Sequence, residues 1–206
     1  MIPKYRLYIF TVLYLFFCAS STFAQTNYYF DKVTVGGEIG NWMPNNLDYS
    51  NTLLTLNRKK ESIYTAIYFQ VPINKYFAFR LTGGYYYYKH ASESEENPVE
   101  KSITIFPILL DLKYFLLNDM KISPYVSYGA SANFGFEYAN YSSIFGCNFD
   151  HFTFGANFGT GIDFLITRHL SVGFEFRYHY LEFAEKFIFT ENYSGTKITL
   201  AICYLF

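Results

Sequence analysis

Between residues 170 and 183 every second side chain is bulky and apolar, and most of those between are small or ionic. Leu170, Val172, Phe174, Phe176, Tyr178 and Tyr180 make one face; Ser171, Gly173, Glu175, Arg177, His179 and Leu181 make the other. A period of two sends alternate side chains to opposite faces of an extended chain, so this segment is a strand and not a helix. The pattern returns in residues 151–166, where Phe152, Phe154, Ala156, Phe158, Ile162 and Phe164 oppose Thr153, Gly155, Asn157, Gly159, Gly161 and Asp163. Residues 122–138 set Val126, Tyr128, Ala130, Ala132, Phe134 and Phe136 against Tyr125, Ser127, Gly129, Ser131, Asn133, Gly135 and Glu137. Less regular versions occupy 61–71, 76–88 and 102–115. Residues 32–41 are short and Gly-rich, and 195–206 close the chain, which makes eight predicted strands.

The connections alternate in length. Residues 72–75, 117–121 and 167–169 are short and carry turn chemistry, whereas 42–60, 89–101, 139–150 and 184–194 are longer and polar. Short and long connections in alternation are what an up-and-down barrel across an asymmetric membrane requires. The expected fold is therefore all-β, an eight-stranded antiparallel up-and-down transmembrane β-barrel. Both termini then lie on the short-turn side, which would be the periplasm.

Composition decides which face meets what. The 24 Phe, 22 Tyr and 1 Trp bring aromatics to 23%, while charged residues are only 16%. A water-facing sheet usually carries many Lys and Glu. Here the polar faces hold Gly, Ser, Thr, Ala and Asn with isolated charges, which suits the narrow interior of a small barrel. The bulky faces suit acyl chains. Glu38, Arg80, Asp111, Lys113, Glu137, Asp163, Glu175, Arg177 and Lys197 are thereby expected in the lumen, paired as a plug that leaves no wide pore. Tyr85, Tyr86, Tyr87 and Tyr88 stand where a strand leaves the membrane, the depth of an aromatic girdle.

Residues 1–24 read as a secretory signal peptide, leaving 25–206 as the barrel domain. Lys4 and Arg6 precede an apolar run, and Thr22-Phe23-Ala24 places small residues at the cleavage positions. Cys147 and Cys203 fall on a long connection and on the last strand, so no disulfide is expected between them. A net charge of −1 excludes nucleic-acid binding through a basic surface. Ile198, Leu200, Ile202, Tyr204 and Phe206 alternate to the last residue, which resembles the C-terminal signal that outer-membrane barrels present to their insertion machinery.

Residues 105–115, Ile-Phe-Pro-Ile-Leu-Leu-Asp-Leu-Lys-Tyr-Phe, followed by Asn118-Asp119 and by 122–130, Ile-Ser-Pro-Tyr-Val-Ser-Tyr-Gly-Ala, resemble the outer-membrane β-barrel family common in Bacteroidetes, which includes PorT-like proteins. Val71-Pro72-Ile73-Asn74-Lys75 looks like that family's first periplasmic turn. The resemblance covers nearly the whole mature chain. It implies an OmpA-like eight-stranded barrel in the outer membrane of a Gram-negative bacterium, and it implies little about activity. Partners expected on this reading are outer-membrane lipid and lipopolysaccharide, the insertion machinery, and a protein met at the long loops.

No catalytic, cofactor or metal residue is assigned. Glu175, Arg177 and His179 share a face, and Arg177-Tyr178-His179-Tyr180 faintly resembles outer-membrane lipid A deacylases, but Leu181 and Glu182 stand where a nucleophilic Ser should follow. His90, His151, His169 and His179 lack ligand spacing, and His90 with Glu93, Glu95 and Glu96 reads as a solvated loop. The preferred expectation is a barrel of structural, assembly or surface-interaction type. Its alternatives are a small enzyme acting on lipid or lipopolysaccharide and a soluble lipocalin-like ligand carrier.

Overall fold

The computed structural model describes residues 32–47, 60–91, 100–117, 121–139, 148–187 and 190–206. The segment expected to be a signal peptide, Cys147, and loop residues Glu93, Glu95 and Glu96 lie outside them. The described residues form β1 (Thr34–Pro44), β2 (Lys60–Pro72), β3 (Phe77–Ala91), β4 (Glu100–Phe115), β5 (Ile122–Ala139), β6 (Asn148–Leu165), β7 (Leu170–Phe187), β8 (Thr190–Asn192) and β9 (Gly195–Leu205). Each pairs antiparallel with its neighbour. The ring closes where β1 meets β9, from Thr34 opposite Leu205 to Pro44 opposite Gly195. Short β8 continues β9 upward past Tyr193 and Ser194, so eight staves surround one interior.

Alternation sets every stave's facing. Arg177 and Asp111 are 0% exposed, whereas Ile67 and Phe154, on outward faces, are each 74% exposed. Such a band of outward rings has no place in water, where contiguous apolar patches are small, and fits hydrocarbon. On the turn side the backbone is tied locally. Asn74 Oδ1 accepts the N–H groups of Tyr76 at 2.8 Å and Phe77 at 3.0 Å, a side-chain turn that reverses the chain between β2 and β3.

Two expectations are corrected. Residues 184–194 are not a plain loop: β7 runs on to Phe187 and returns through β8, because Phe183 and Tyr193 bury against each other at 5.8 Å between ring centroids. The tyrosine quartet does not act as one girdle. Tyr85 and Tyr87 face outward, but the strand period turns Tyr86 and Tyr88 into the barrel, where they are buried.

The staves differ in height. β5, β6 and β7 have 18 residues each and β1 only 11, against the ~10 that span a bilayer. On β7 the outward apolar run ends at Tyr180, and Glu182 follows, exposed. From Leu170 to Tyr180 the rise is about 26 Å at ~3.4 Å per residue and ~40° tilt, close to the ~25 Å apolar band. Toward the loop side two of the backbone ladders stop short. β1 and β2 pair no further than Gly40 opposite Tyr64, and β6 and β7 no further than Gly155 opposite Leu181. Side chains join the staves beyond those points: Ser62 Oγ lies 2.8 Å from Asn41 Oδ1 and donates to the Trp42 carbonyl at 3.3 Å, and Thr153 Oγ1 donates to the Glu182 carbonyl at 2.7 Å.

Candidate functional site in the barrel interior

Three layers fill the interior. The middle layer is ionic. Arg80 on β3 stands directly opposite Asp111 on β4, with Nε–Oδ2 at 3.6 Å, and its Nη2 reaches Glu175 Oε2 at 2.7 Å. Arg177 Nη1 donates to Asp111 Oδ2 at 2.8 Å and Nη2 meets Glu175 Oε1 at 2.5 Å, so two guanidinium groups clamp two carboxylates. Tyr125 OH donates to Glu175 Oε2 at 2.9 Å. Two satellites flank this square. Lys113 pairs with Asp163 at 2.5 Å and lies 3.6 Å from the Tyr125 ring centroid. Lys197 lies 3.8 Å from Glu38 and 4.0 Å over the Tyr64 ring, while Thr199 and Tyr64 donate to the same carboxylate at 3.2 and 3.4 Å.

Among the described residues, four acids thus face four bases. Ions buried in so narrow a space persist only when paired and hydrogen-bonded. The sequence supplies the room for them with glycine on the neighbouring stave. Gly161 stands opposite Glu175, Gly159 opposite Arg177 and Gly129 opposite Asp111. A Cβ on Gly159 would lie 3.1 Å from Glu175 Oε1, so the long side chains lie across a wall kept bare for them.

The layers above and below are apolar. On the loop side, Trp42, Leu47, Leu181, Phe183 and Tyr193 pack in one cluster with Tyr64, Ala66, Tyr86, Tyr88, Ile103 and Ile105. Trp42, 0% exposed, meets the Tyr86 ring at 4.8 Å. On the turn side, Ala78, Phe115, Tyr125 and Leu205 close the end, with Leu165 and Cys203 against them. Between ionic and loop-side apolar layers sits His179. Its Nε2 is 2.7 Å from Ser131 Oγ, Trp42 stacks on its ring at 4.9 Å, and Asn133 Nδ2 donates to Ser131 at 2.9 Å.

The expected lumen charges therefore come together, apart from Glu137, whose side chain is outside the described residues. Sequence reasoning missed the apolar loop-side layer and assigned Trp42 to a loop. A signal existed: Tyr86 and Tyr88, Ile103 and Ile105, and Leu181 and Phe183 are apolar at alternate inward positions near strand tops. It also missed Ser131 beside His179, since the two lie on different strands and no spacing links them. Among the described residues no group of His, Cys, Asp and Glu could hold a metal. His169 instead stacks on Tyr204 at 5.6 Å, at the turn side.

A closed antiparallel cylinder with hydrocarbon-facing rings and an ionic interior defines a transmembrane β-barrel, and the soluble lipocalin-like alternative falls with that inversion of faces. The chain belongs to the outer membrane protein beta-barrel domain family, whose model matches residues 10–206. It is an outer-membrane protein of a Gram-negative bacterium. Its fold is similar to that of Neisserial surface protein A, with a TM-score of 0.58 at 14% identity over 84% of this chain and 97% of that one. It is also similar to the outer membrane protein OprG from Pseudomonas aeruginosa, with a TM-score of 0.59 at 10% identity over 85% of this chain and 96% of that one. No curated protein sequence matches.

Proposed function

We propose that this chain is a sealed surface barrel. It conducts nothing through its axis and meets partners with the loop-side part that stands above the membrane, its turn side and both termini being periplasmic. The observation that carries this reading is the ionic square closed above and below by apolar layers: water and ions crossing the axis would have to pass Trp42, Tyr86 and Ile105 at one end and Phe115 and Leu205 at the other. Eight staves leave room for side chains and not for a channel. Purified full-length protein in a planar lipid bilayer is expected to give no stepwise current; discrete openings of the wild-type protein would overturn the reading.

The contact of Ser131 with His179 favours a second reading, an acyl-transferring enzyme, but only in part. Both residues are buried, at 3% and 1% exposure, and no carboxylate bonds the imidazole among the described residues. A nucleophilic serine needs an oriented base and an approach for its substrate. A deletion strain carrying wild-type protein, Ser131→Ala or His179→Ala is expected to show one and the same lipid and lipopolysaccharide profile. A species lost with either substitution would restore the enzyme.

Two narrower roles rest on the sequence. A part in secretion of the PorT kind is supported by the resemblance of residues 105–130 and is tested by comparing proteins secreted with and without the gene. Engagement of the insertion machinery is supported by exposed Phe206, which directly follows β9 and donates its N–H to the Val33 carbonyl at 3.0 Å.

A further inference from the structure

The apolar outer face is not level. On β5 every outward position from Ile122 to Phe136 is apolar, a rise of about 36 Å at ~3.4 Å per residue and ~40° tilt. On β6 the outward run from Phe164 to Phe152, with only Thr160 polar, rises about 31 Å on the same geometry. In the ring of eight staves β1 stands opposite β5, and β2 opposite β6. On β2 the outward run reaches only from Val71 to Ile63, about 21 Å. On β1 it stops at Ile39, and the next position on that face is Asn41, whose Oδ1 accepts from Ser62 Oγ at 2.8 Å. β3, from Phe77 to Tyr87, and β7, from Leu170 to Tyr180, lie between at about 26 Å each.

The tall side ends in packed rings. Phe134 meets Phe152 at 5.0 Å between centroids, Phe152 meets Phe154 at 5.0 Å and Phe106 meets Phe136 at 5.2 Å. Phe134 and Phe152 are nevertheless 40% and 49% exposed. Phe134 stands about 31 Å above Ile122, beyond the ~25 Å that a level apolar band covers. Contiguous exposed rings of this kind call for a cover.

Tilting the barrel does not supply one. A slab of constant thickness covers the same length on every stave of a tilted cylinder, so tilt gives β5 no more hydrocarbon than β2. Unequal apolar heights are matched when the bilayer itself is unequal, and lipid thickens or thins beside a protein at a modest cost per ångström. The tall rings continue the membrane-embedded face of the same two strands, so acyl chains are the cover nearest to them.

We propose that the barrel holds the surrounding bilayer as a wedge, thick beside β5 and β6 and thin beside β1 and β2. The partner of the aromatic rim is the acyl chains of the outer leaflet, climbing a face whose lower part they already cover. This goes beyond the sealed-barrel reading and does not depend on it, since staves of unequal height shape the bilayer whether or not the axis conducts.

The test uses full-length protein carrying Cys147→Ser and Cys203→Ser in nanodiscs of one phospholipid. Nitroxide labels are placed singly on outward positions of β2, β5 and β6, and their accessibility to oxygen against a nickel chelate gives the depth of each. On β5 the labels are expected to stay in hydrocarbon through position 134, whereas on β2 the crossover to water falls at Ile63. The hydrocarbon-contact lengths of the two faces then differ by about 10–15 Å. The triple substitution F134N/F152N/F154N is expected to lower the crossover on β5 to about the 26 Å of β3 and to leave β2 unchanged. Equal contact lengths on β2 and β5, or an unmoved crossover in a folded triple variant, would overturn the proposal. So would nickel-accessible labels at 134 and 152, which would leave the aromatic rim to a protein partner. Should the triple variant not fold, the scan without it decides alone.

Discussion

Arg177→Leu lowers the urea midpoint of the folded barrel, read from its heat-modifiable gel mobility, by the equivalent of about 3–5 kcal/mol. Arg177 is 0% exposed and bonds Asp111 at 2.8 Å and Glu175 at 2.5 Å. Its loss leaves two buried carboxylates sharing Arg80 alone. Removing one partner of a buried pair costs more than the pair is worth, because the remaining charge stays desolvated. Arg177→Lys keeps the charge but not the two-armed fork, so it falls between wild type and Leu. Adding Glu175→Gln to Arg177→Leu recovers part of the loss, the mark of direct coupling. An unchanged midpoint for Arg177→Leu would mean that the ionic square does not hold the barrel.

The second large effect is a contrast between two glycines. Gly40 faces inward on β1, opposite Thr199 on β9, at the seam that closes the ring. A Cβ there would fall on the Ile198 carbonyl oxygen and the Thr199 Cα, which are backbone and cannot swing aside. Gly83 faces outward on β3, and a Cβ there meets no atom within 4 Å. Gly40→Val is therefore expected to prevent closure, leaving protein that migrates as unfolded with or without heating. Gly83→Val is expected to fold as wild type or gain about 0.5–1 kcal/mol, since glycine weakens a strand. Equal behaviour of the two variants would contradict the placement of the seam.

Much of this was legible because a strand's period of two is a local property. In residues 170–183 alternation alone separated Glu175 and Arg177 from Phe174 and Phe176, and the structure keeps that division from Leu170 to Phe183. Gly, Ser and Asn faces with isolated ions then marked the inside. What was hidden is set between strands. Nothing near Ser131 announces His179, and nothing near Arg80 announces that Glu175, across the lumen, takes its second arm. The point where β6 leaves β7 is a matter of register over two whole hairpins. The tyrosine quartet misled because aromatic content outweighed parity: one run served both the girdle and the interior. Trp42 misled because a short Gly-rich strand, read as ending at Asn41, runs three residues further, to Pro44.

The most direct measurement uses the chain's single tryptophan. Trp42 is buried inside the cylinder, between His179 and Tyr86. In bilayers with brominated acyl chains its fluorescence should be barely quenched, while tryptophan placed at Tyr128, Phe158 or Phe174 in a Trp42→Phe background should be strongly quenched. Strong quenching of Trp42, with the three outward positions protected from bromine, would turn the barrel inside out and end the assignment.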